Sequence, residues 1–365
     1  MGTTAPEPLN ELRAQFPVTR RFSYLNAGTN GPIADRSVEA VRQWVVLEED
    51  EGRGGMPYFR KAIEQVERLR AGYAARLGAA PDDVAITTST TDGVGRALNS
   101  LGLAPGDEIL TSDEEHPGVY GPLAAQRQRG VRVRVVPLAE IANEVTAETK
   151  LVCVSHVSWR SGEVAPKELA DVEPLVLFDG AQGVGAVAVD VKALGADLYA
   201  AAGQKWLCGP MGTGMLYASP KARERMTPPS PGYINLEDAG AGLDAVPASV
   251  ARAFDGATWA PTLFAQSNAT LELFDQTGWD RIHTVAHDLA ELAVQLLRER
   301  GREVLPRGRT TLVTWREPDA ERQAERLLER DVVVRTLPGE DLVRASFGGW
   351  SNEQDLERLL EALPR

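Results

Sequence analysis

The sequence predicts an α/β protein: a mostly parallel sheet of seven strands with helices on its faces, followed by a smaller α+β domain. Three observations carry this expectation. Between residues 84 and 218, short β-rich runs alternate with helical patterns, the rhythm of βαβ units. Beyond a stretch without periodicity, 227–256, the order changes to long helix, strand, helix, strands and helix. The 365 residues also exceed the roughly 100 to 200 that one core usually fills.

The candidate strands are 84–88 (VAITT), 108–112 (EILTS), 131–136 (VRVRVV), 151–155 (LVCVS), 175–178 (LVLF), 197–201 (DLYAA) and 214–218 (GMLYA). Ahead of them, Ile63, Val66, Leu69, Tyr73 and Leu77 recur at helical spacing and stop at Gly78, with Pro81 beyond. Residues 227–256 are rich in Pro, Gly and Asp and read both as a functional loop and as the boundary. A large domain is therefore expected over 16–255 and a small one over 256–365, joined by 1–15. The small domain should hold a helical region at about 262–300, a strand at 311–315 and a helix at 319–329. Strands near 331–335 and 341–346 follow, then a helix carrying Leu356, Leu359, Leu360 and Leu363.

Composition narrows the function. With 52 acidic and 39 basic residues the formal charge is −13, and no basic stripe suits nucleic acid or an anionic membrane. No window approaches the roughly 18 apolar residues of a membrane span, and residues 1–15 contain no apolar signal core, so a cytoplasmic protein is expected. Cys153 and Cys208 are the only cysteines and have no partner at metal-ligand spacing, so neither a disulfide framework nor a metal site is expected. His283 and His287, at i and i+4, lack a third ligand and read as a solvated helix face.

Two patterns bear on chemistry. Gly183, Gly185 and Ala188 form a GxGxxA string, but a dinucleotide fingerprint needs its glycines to turn a strand into a helix. Here Asp179 and Gln182 occupy the strand exit and a short VAVDV run follows, so the string is set aside. Asp179 itself ends one apolar strand, and Lys205 follows another, ahead of GPMGTG. The carboxyl ends of parallel strands are where such folds bind ligands. A lysine between apolar segments has its pKa lowered by desolvation and becomes nucleophilic toward carbonyls. Taken singly, Asp179 reads as a turn residue and Lys205 as a snorkelling surface group. Together they suggest a Schiff base plus an acid that keeps a pyridine nitrogen protonated.

The segments SDEEHPGVYGP (112–122), LVCVSHVSWRSGEVAP (151–166), FDGAQGVG (178–185), GQKWLCGPMGTGMLY (203–217) and LVRASFGGWSNEQDLERLL (342–360) resemble the class V aminotransferase family. These are fold type I enzymes that use pyridoxal 5'-phosphate and include cysteine desulfurases, isopenicillin epimerases and cysteine or cystine C–S lyases. YLNAGTNGP (24–32), EHPGV, SHVSW and KWLCGP look most like the cystine C–S lyase branch.

The resemblance implies roles for particular residues. Lys205 would be the Schiff-base lysine and proton carrier, Asp179 the partner of the pyridine nitrogen, and His116 the residue stacked on the ring, although a helix-cap reading of His116 is open. Gln182 would touch the ring hydroxyl. Ser89-Thr90-Thr91-Asp92-Gly93 would receive the phosphate at a helix start, Thr90 and Thr91 foremost; without the resemblance it is a capping sequence. Thr258 resembles a threonine that reaches the phosphate of a neighbouring subunit, which implies a homodimer with shared sites. Arg344 matches the arginine that reads the substrate carboxylate. Arg335 also matches an arginine of the cystine-lyase branch and could read the same carboxylate or a second, against a nearly equal reading as a solvated strand residue. Ala27 and Gly28 would face the amino-acid substrate, and Trp159 and Arg160 would cover it.

The chain also departs from the family pattern. The serine and histidine that commonly precede the lysine are Ala202 and Gln204 here, so a phosphate hydroxyl and an imidazole are missing, though Gln204 keeps a place beside the cofactor. The run 331–344, DVVVRTLPGEDLVR, holds no cysteine to accept sulfur, which excludes the persulfide mechanism of cysteine desulfurases. The leading expectation is a carbon–sulfur lyase that performs β-elimination on cystine, cysteine or a cysteine S-conjugate, giving pyruvate, ammonia and a sulfur product. Transamination, epimerisation and a non-catalytic role in sulfur assembly are the alternatives.

Overall fold

The computed structural model describes residues 7, 9–256 and 258–364, so part of the amino-terminal stretch expected to join the small domain, 1–6 and 8, lies outside the described residues. In chain order the strands are β1 (Ser23–Tyr24), β2 (Val84–Thr87), β3 (Glu108–Ser112), β4 (Arg132–Val136), β5 (Thr149–Ser155) and β6 (Leu175–Asp179). They continue as β7 (Leu198–Ala202), β8 (Gly214–Ala218), β9 (Leu312–Arg316), β10 (Val332–Val333), β11 (Arg335–Thr336) and β12 (Leu342–Ser346). The helices are α1 (Asn10–Ala14), α2 (Asp35–Glu51), α3 (Gly55–Leu77), α4 (Thr90–Ser100), α5 (Pro117–Gln128), α6 (Pro220–Arg223), α7 (Pro261–Thr277), α8 (Trp279–Glu299), α9 (Ala320–Leu328) and α10 (Glu353–Ala362).

The main sheet has the order β2-β8-β7-β6-β5-β3-β4. Strands β7, β6, β5, β3 and β4 are parallel, whereas β8 is antiparallel to both β7 and β2. The reversal has a local cause: residues 203–213 contain no helix, and without a crossover helix the chain folds straight back. Strands β6, β7 and β8 are buried at every position, as a sheet covered on both faces requires. Edge strand β4 instead carries Arg132 and Arg134 and is partly exposed, which blunts further strand pairing.

Helix α3 buries Val66, Leu69, Tyr73 and Leu77 and stops where Gly78 adopts φ 64°, with Ala79 N–H bonded to the Ala74 carbonyl. The helical region expected at 262–300 is two helices. Gly278, at φ 91°, ends α7 and opens α8, and α7 packs on α2 and α3.

A second layer contains the antiparallel sheet β11-β12-β9 and the parallel pair β1-β10. It holds the amino-terminal segment tightly. Ser346 N–H donates to the Leu25 carbonyl at 2.8 Å, Asn26 bridges to Ser346, and Arg13 pairs with Asp355 at 2.6 Å. These contacts bring Ala27 and Gly28 against β12. Among the described residues no helix is long and apolar enough to cross a membrane.

Candidate active site

Strands β3, β5, β6 and β7 end at one edge of the main sheet, and β2 runs the same way as β7. The segments leaving these ends carry Thr90 and Thr91, His116, Trp159, Asp179 with Gln182, and Lys205. Segment 26–30 and the β11–β12 hairpin close over them from the second layer.

Asp179 is 5% exposed, and its Oδ1 accepts the Ala181 N–H at 2.8 Å. Burial raises its pKa, opposed by the charge of Lys205 and by that N–H. Lys205 is half-buried, and its Nζ makes no hydrogen bond or ion pair among the described residues. Burial pushes its amine down to about 8; Asp179 opposes the shift, and Arg344 and Arg335 add to it. His116 caps α5, with Nδ1 accepting the Gly118 N–H at 2.9 Å, so the cap reading holds. Its ring also meets Trp159 edge-on at 4.8 Å, and burial together with Lys205, Arg335 and Arg344 holds it near pKa 4, which keeps it neutral.

Trp159 lies at the centre of the opposite wall. Its carbonyl accepts Arg344 Nη1 at 2.5 Å, and the Arg335 guanidinium sits over its ring at 5.8 Å. Arg335 Nη1 also donates to Thr29 Oγ1 at 3.1 Å, so Arg335 is half-buried and not a solvated strand residue. Arg344 is completely buried, and its Nε and Nη2 have no partner. A Cβ at position 28 would lie 2.8 Å from Arg344 Nη2, 2.9 Å from Ser346 Oγ and 3.1 Å from Gln182 Oε1, so only glycine lets these groups meet. Gln182 ties the loops together, donating Nε2 to the Gly28 carbonyl at 2.8 Å and accepting Trp206 Nε1 at 2.9 Å.

At the start of α4, Ser89 Oγ accepts the Asp92 N–H at 3.1 Å, while the buried Thr90 hydroxyl has no partner. Thr91 is exposed, and its Oγ1 would lie 2.5 Å from a Cβ on Gly118, so the starts of α4 and α5 abut. The Gln204 Oε1 is buried without a partner. Thr258 is exposed, and no hydrogen bond or ion pair among the described residues joins it to this cluster.

Buried polar atoms are normally bonded. Unpaired atoms on Thr90, Gln204, Arg344 and Ser346 therefore leave groups free to bind a polar, anionic ligand. The groups fit a phosphorylated pyridine aldehyde and an amino acid joined to it: hydroxyls at a helix N-terminus for phosphate, a carboxylate at Asp179 to accept from a ring nitrogen, a free amine at Lys205 for the aldehyde, and Arg344 for the amino acid's carboxylate.

Sequence reasoning passed over one buried group here. Glu115 accepts Ser112 Oγ at 2.5 Å, Ser155 N–H at 2.9 Å and Ser155 Oγ at 2.7 Å. It stands in the acidic run Asp113-Glu114-Glu115, which reads as solvated, and only its chain position at a strand exit pointed inward. His283 and His287 also differ from the expected solvated face. Their half-buried rings stack at 6.1 Å, and His287 Nε2 meets the Ala186 carbonyl at 3.0 Å, because α8 packs on the loop after Gln182. Among the described residues no cluster of His, Cys, Asp and Glu could hold a metal.

A family model described as Aminotransferase class-V matches residues 32–359. The chain is similar to a structure described as the cystine C–S lyase C-DES in complex with its reaction product cysteine persulfide: TM-score 0.89 and 27% identity, covering 95% of this chain and 98% of that one. A lysine-to-alanine mutant of C-DES, with glycine covalently linked to the PLP cofactor, superposes with TM-score 0.89 at 26% identity over 98% of both chains. A probable cysteine desulfurase of Methanothermobacter thermautotrophicus is 29% identical over 289 residues, 74% of this chain and 71% of that protein. The isopenicillin N epimerase of Streptomyces clavuligerus is 26% identical over 97% of both chains.

Proposed function

Because the chain belongs to the class V aminotransferase family of fold type I pyridoxal-phosphate enzymes, we propose that it is a carbon–sulfur lyase acting by β-elimination. Its substrate is cystine, cysteine or a cysteine S-conjugate, and its products are pyruvate, ammonia and a sulfur compound. One observation carries the choice: neither cysteine sulfur of the chain is available as an acceptor. Cys153 lies inside β5 and Cys208 lies beneath Gly31, both buried, and the hairpin over the site has no cysteine. Sulfur must then leave with the product, and a disulfide or conjugated thioether departs more easily than a free thiol.

When bound, pyridoxal phosphate supplies the electron sink for charge left at the substrate Cα. Thr90, Thr91 and the N–H groups at the start of α4 would hold its phosphate, with Gln204 beside it and Gln182 near the ring hydroxyl. Thr258 would serve the site of a partner subunit in a homodimer. The Asp179 carboxylate would keep the ring nitrogen protonated. Lys205 Nζ would hold the cofactor at rest and take the Cα proton once substrate has arrived. His116, neutral in this setting, would pack on the ring without adding charge. Arg344 offers two free N–H groups to the substrate carboxylate, and Arg335 is near enough to share it or to hold a second one. Ala27, Gly28 and Trp159 would exclude water around the reacting atoms. A division into a large part, 16–255, and a smaller part, 256–365 with 1–15, and a cytoplasmic location belong to the same proposal.

The epimerase relative supports a second reading, since the same lysine and aspartate suit racemisation or transamination. A scan of the visible absorbance with cystine, cysteine, cysteine conjugates and alanine, followed by a pyruvate assay, separates these fates. Elimination releases pyruvate without a keto-acid acceptor. Transamination requires that acceptor, and epimerisation only inverts the substrate. A protein that stays colourless when given the cofactor would instead favour the non-catalytic role.

A further inference from the structure

Arg160 is the next residue after Trp159, and its guanidinium reaches two carboxylates on two other segments. Its Nε lies 2.8 Å and its Nη2 2.7 Å from Glu340 Oε2, and its Nη1 lies 3.5 Å from Glu114 Oε1. Glu114 also accepts Ser161 Oγ at 2.6 Å, and the Arg160 carbonyl accepts Thr314 Oγ1 at 2.7 Å. Each joined segment carries a group of the site. Glu114 is two residues before His116; Glu340 lies in the turn between Arg335 on β11 and Arg344 on β12; Arg160 itself is bonded to Trp159. The Trp159 carbonyl holds one of those arginines and its ring meets the other.

We propose that Arg160 is a positioning residue, clasping the 113–116, 158–161 and 336–342 segments together so that Trp159 sets the two arginines for the substrate carboxylate. Neither Arg160 nor its two carboxylate partners needs to touch substrate. The side chains of Arg160 and Glu340 are 30% and 32% exposed, so the pair adds little to global stability. Its effect lies in geometry, since small misplacements of a binding group weaken recognition strongly. A partly exposed pair is also screened by salt.

The inference rests on the amino-acid lyase reading, so its test uses glycine, which carries the carboxylate and has no leaving group. In cofactor-loaded protein, Arg160→Gln and Glu340→Gln should each weaken glycine binding, followed through the visible band, by roughly fivefold or more. The double variant should be no weaker than either single one, because one clasp is being broken. With cystine, KM should rise while kcat stays within about twofold. Amide hydrogen exchange should quicken together at 157–161 and 336–341 in both single variants. Glycine affinity within about twofold of wild type in both, additive losses in the double variant, or faster exchange confined to the altered segment would each overturn the proposal. If Arg160→Gln does not fold, Glu340→Gln and Arg160→Lys supply the same comparison. Normal pyruvate release with unchanged glycine binding removes the clasp and leaves the lyase; the expected glycine result without any turnover removes the lyase and leaves the clasp.

Discussion

Arg335 and Arg344 are register partners on antiparallel β11 and β12, so their guanidinium groups rise from the same face of the hairpin. Neither pairs with a carboxylate among the described residues, and burial together with the charge of Arg335 pushes the Arg344 pKa down. Trp159 separates the two, bonding one through its carbonyl and meeting the other with its ring. An anion facing both guanidinium groups would offset their mutual repulsion.

Arg344→Ala should therefore lower kcat/KM by roughly 100-fold, about 3 kcal/mol, chiefly through KM, while the bound cofactor keeps its visible band. Arg335→Ala should lower it by about tenfold, since Arg335 also leans on Thr29. Steady-state kinetics read both values. Unchanged KM and kcat in Arg344→Ala would place the carboxylate elsewhere.

The pH dependence of cofactor uptake follows from Lys205. Only the neutral amine is nucleophilic, and burial lowers its pKa to about 8. Uptake by cofactor-free protein should quicken as pH rises and level off above about 8. Removing the guanidinium in Arg344→Ala should move the midpoint up, because a neighbouring positive charge favours the neutral lysine. Removing the carboxylate in Asp179→Asn should move it down. Stopped-flow absorbance from pH 6 to 10 gives the midpoints, and identical curves for the three proteins would contradict this electrostatic account.

Glu115 makes a separate prediction. Burial, aided by the nearby Asp179 and opposed by the Ser112 and Ser155 hydrogen bonds, lifts its carboxyl from 4.5 to about 7. Between those values the native chain keeps a proton that the unfolded chain releases, so this group's contribution to stability falls as pH rises through the window. Glu115→Gln lacks that term. Its stability relative to wild type should improve between pH 4.5 and 7 by up to about 3 kcal/mol, then stay level. Urea midpoints at pH 5 and pH 8 test it, and parallel pH profiles would refute it.

Asp255 anchors the end of the 227–256 stretch. It pairs with Arg70 at 2.8 and 2.9 Å and accepts the Ile86 N–H at 2.8 Å, with both charged side chains almost fully buried. Asp255→Ala leaves the buried Arg70 only the half-exposed Glu67 as a charged partner and should cost about 3–5 kcal/mol. Replacing both with apolar residues should restore much of that loss. A denaturant midpoint unchanged in the single variant would deny the pair its role.

The site was legible in the sequence where chemistry coincides with a strand exit. Lys205, Asp179 and His116 stand at or just beyond such exits within matched segments, and they converge with Arg344, which lies in the middle of β12 and was legible only through its matched segment. Contacts made across long chain separations were not legible. Nothing local shows that Arg160 reaches Glu340, and Glu115 looks like one more charge in an acidic run. The histidines of α8 read as solvated because their partner, the loop after Gln182, lies about a hundred residues away. The break at Gly278 was missed because apolar spacing continues on both sides of it, and the antiparallel β8 because a strand's direction is set by its connection and leaves no mark on its residues.

The most direct test of the whole account is pyruvate released from cystine by the cofactor-loaded chain, without any keto acid, compared between wild type and Lys205→Ala. Steady release by wild type, with none from the variant and no lysine-linked visible band in it, is the predicted result. Equal release from both proteins, or release from wild type only after a keto acid is added, would contradict it.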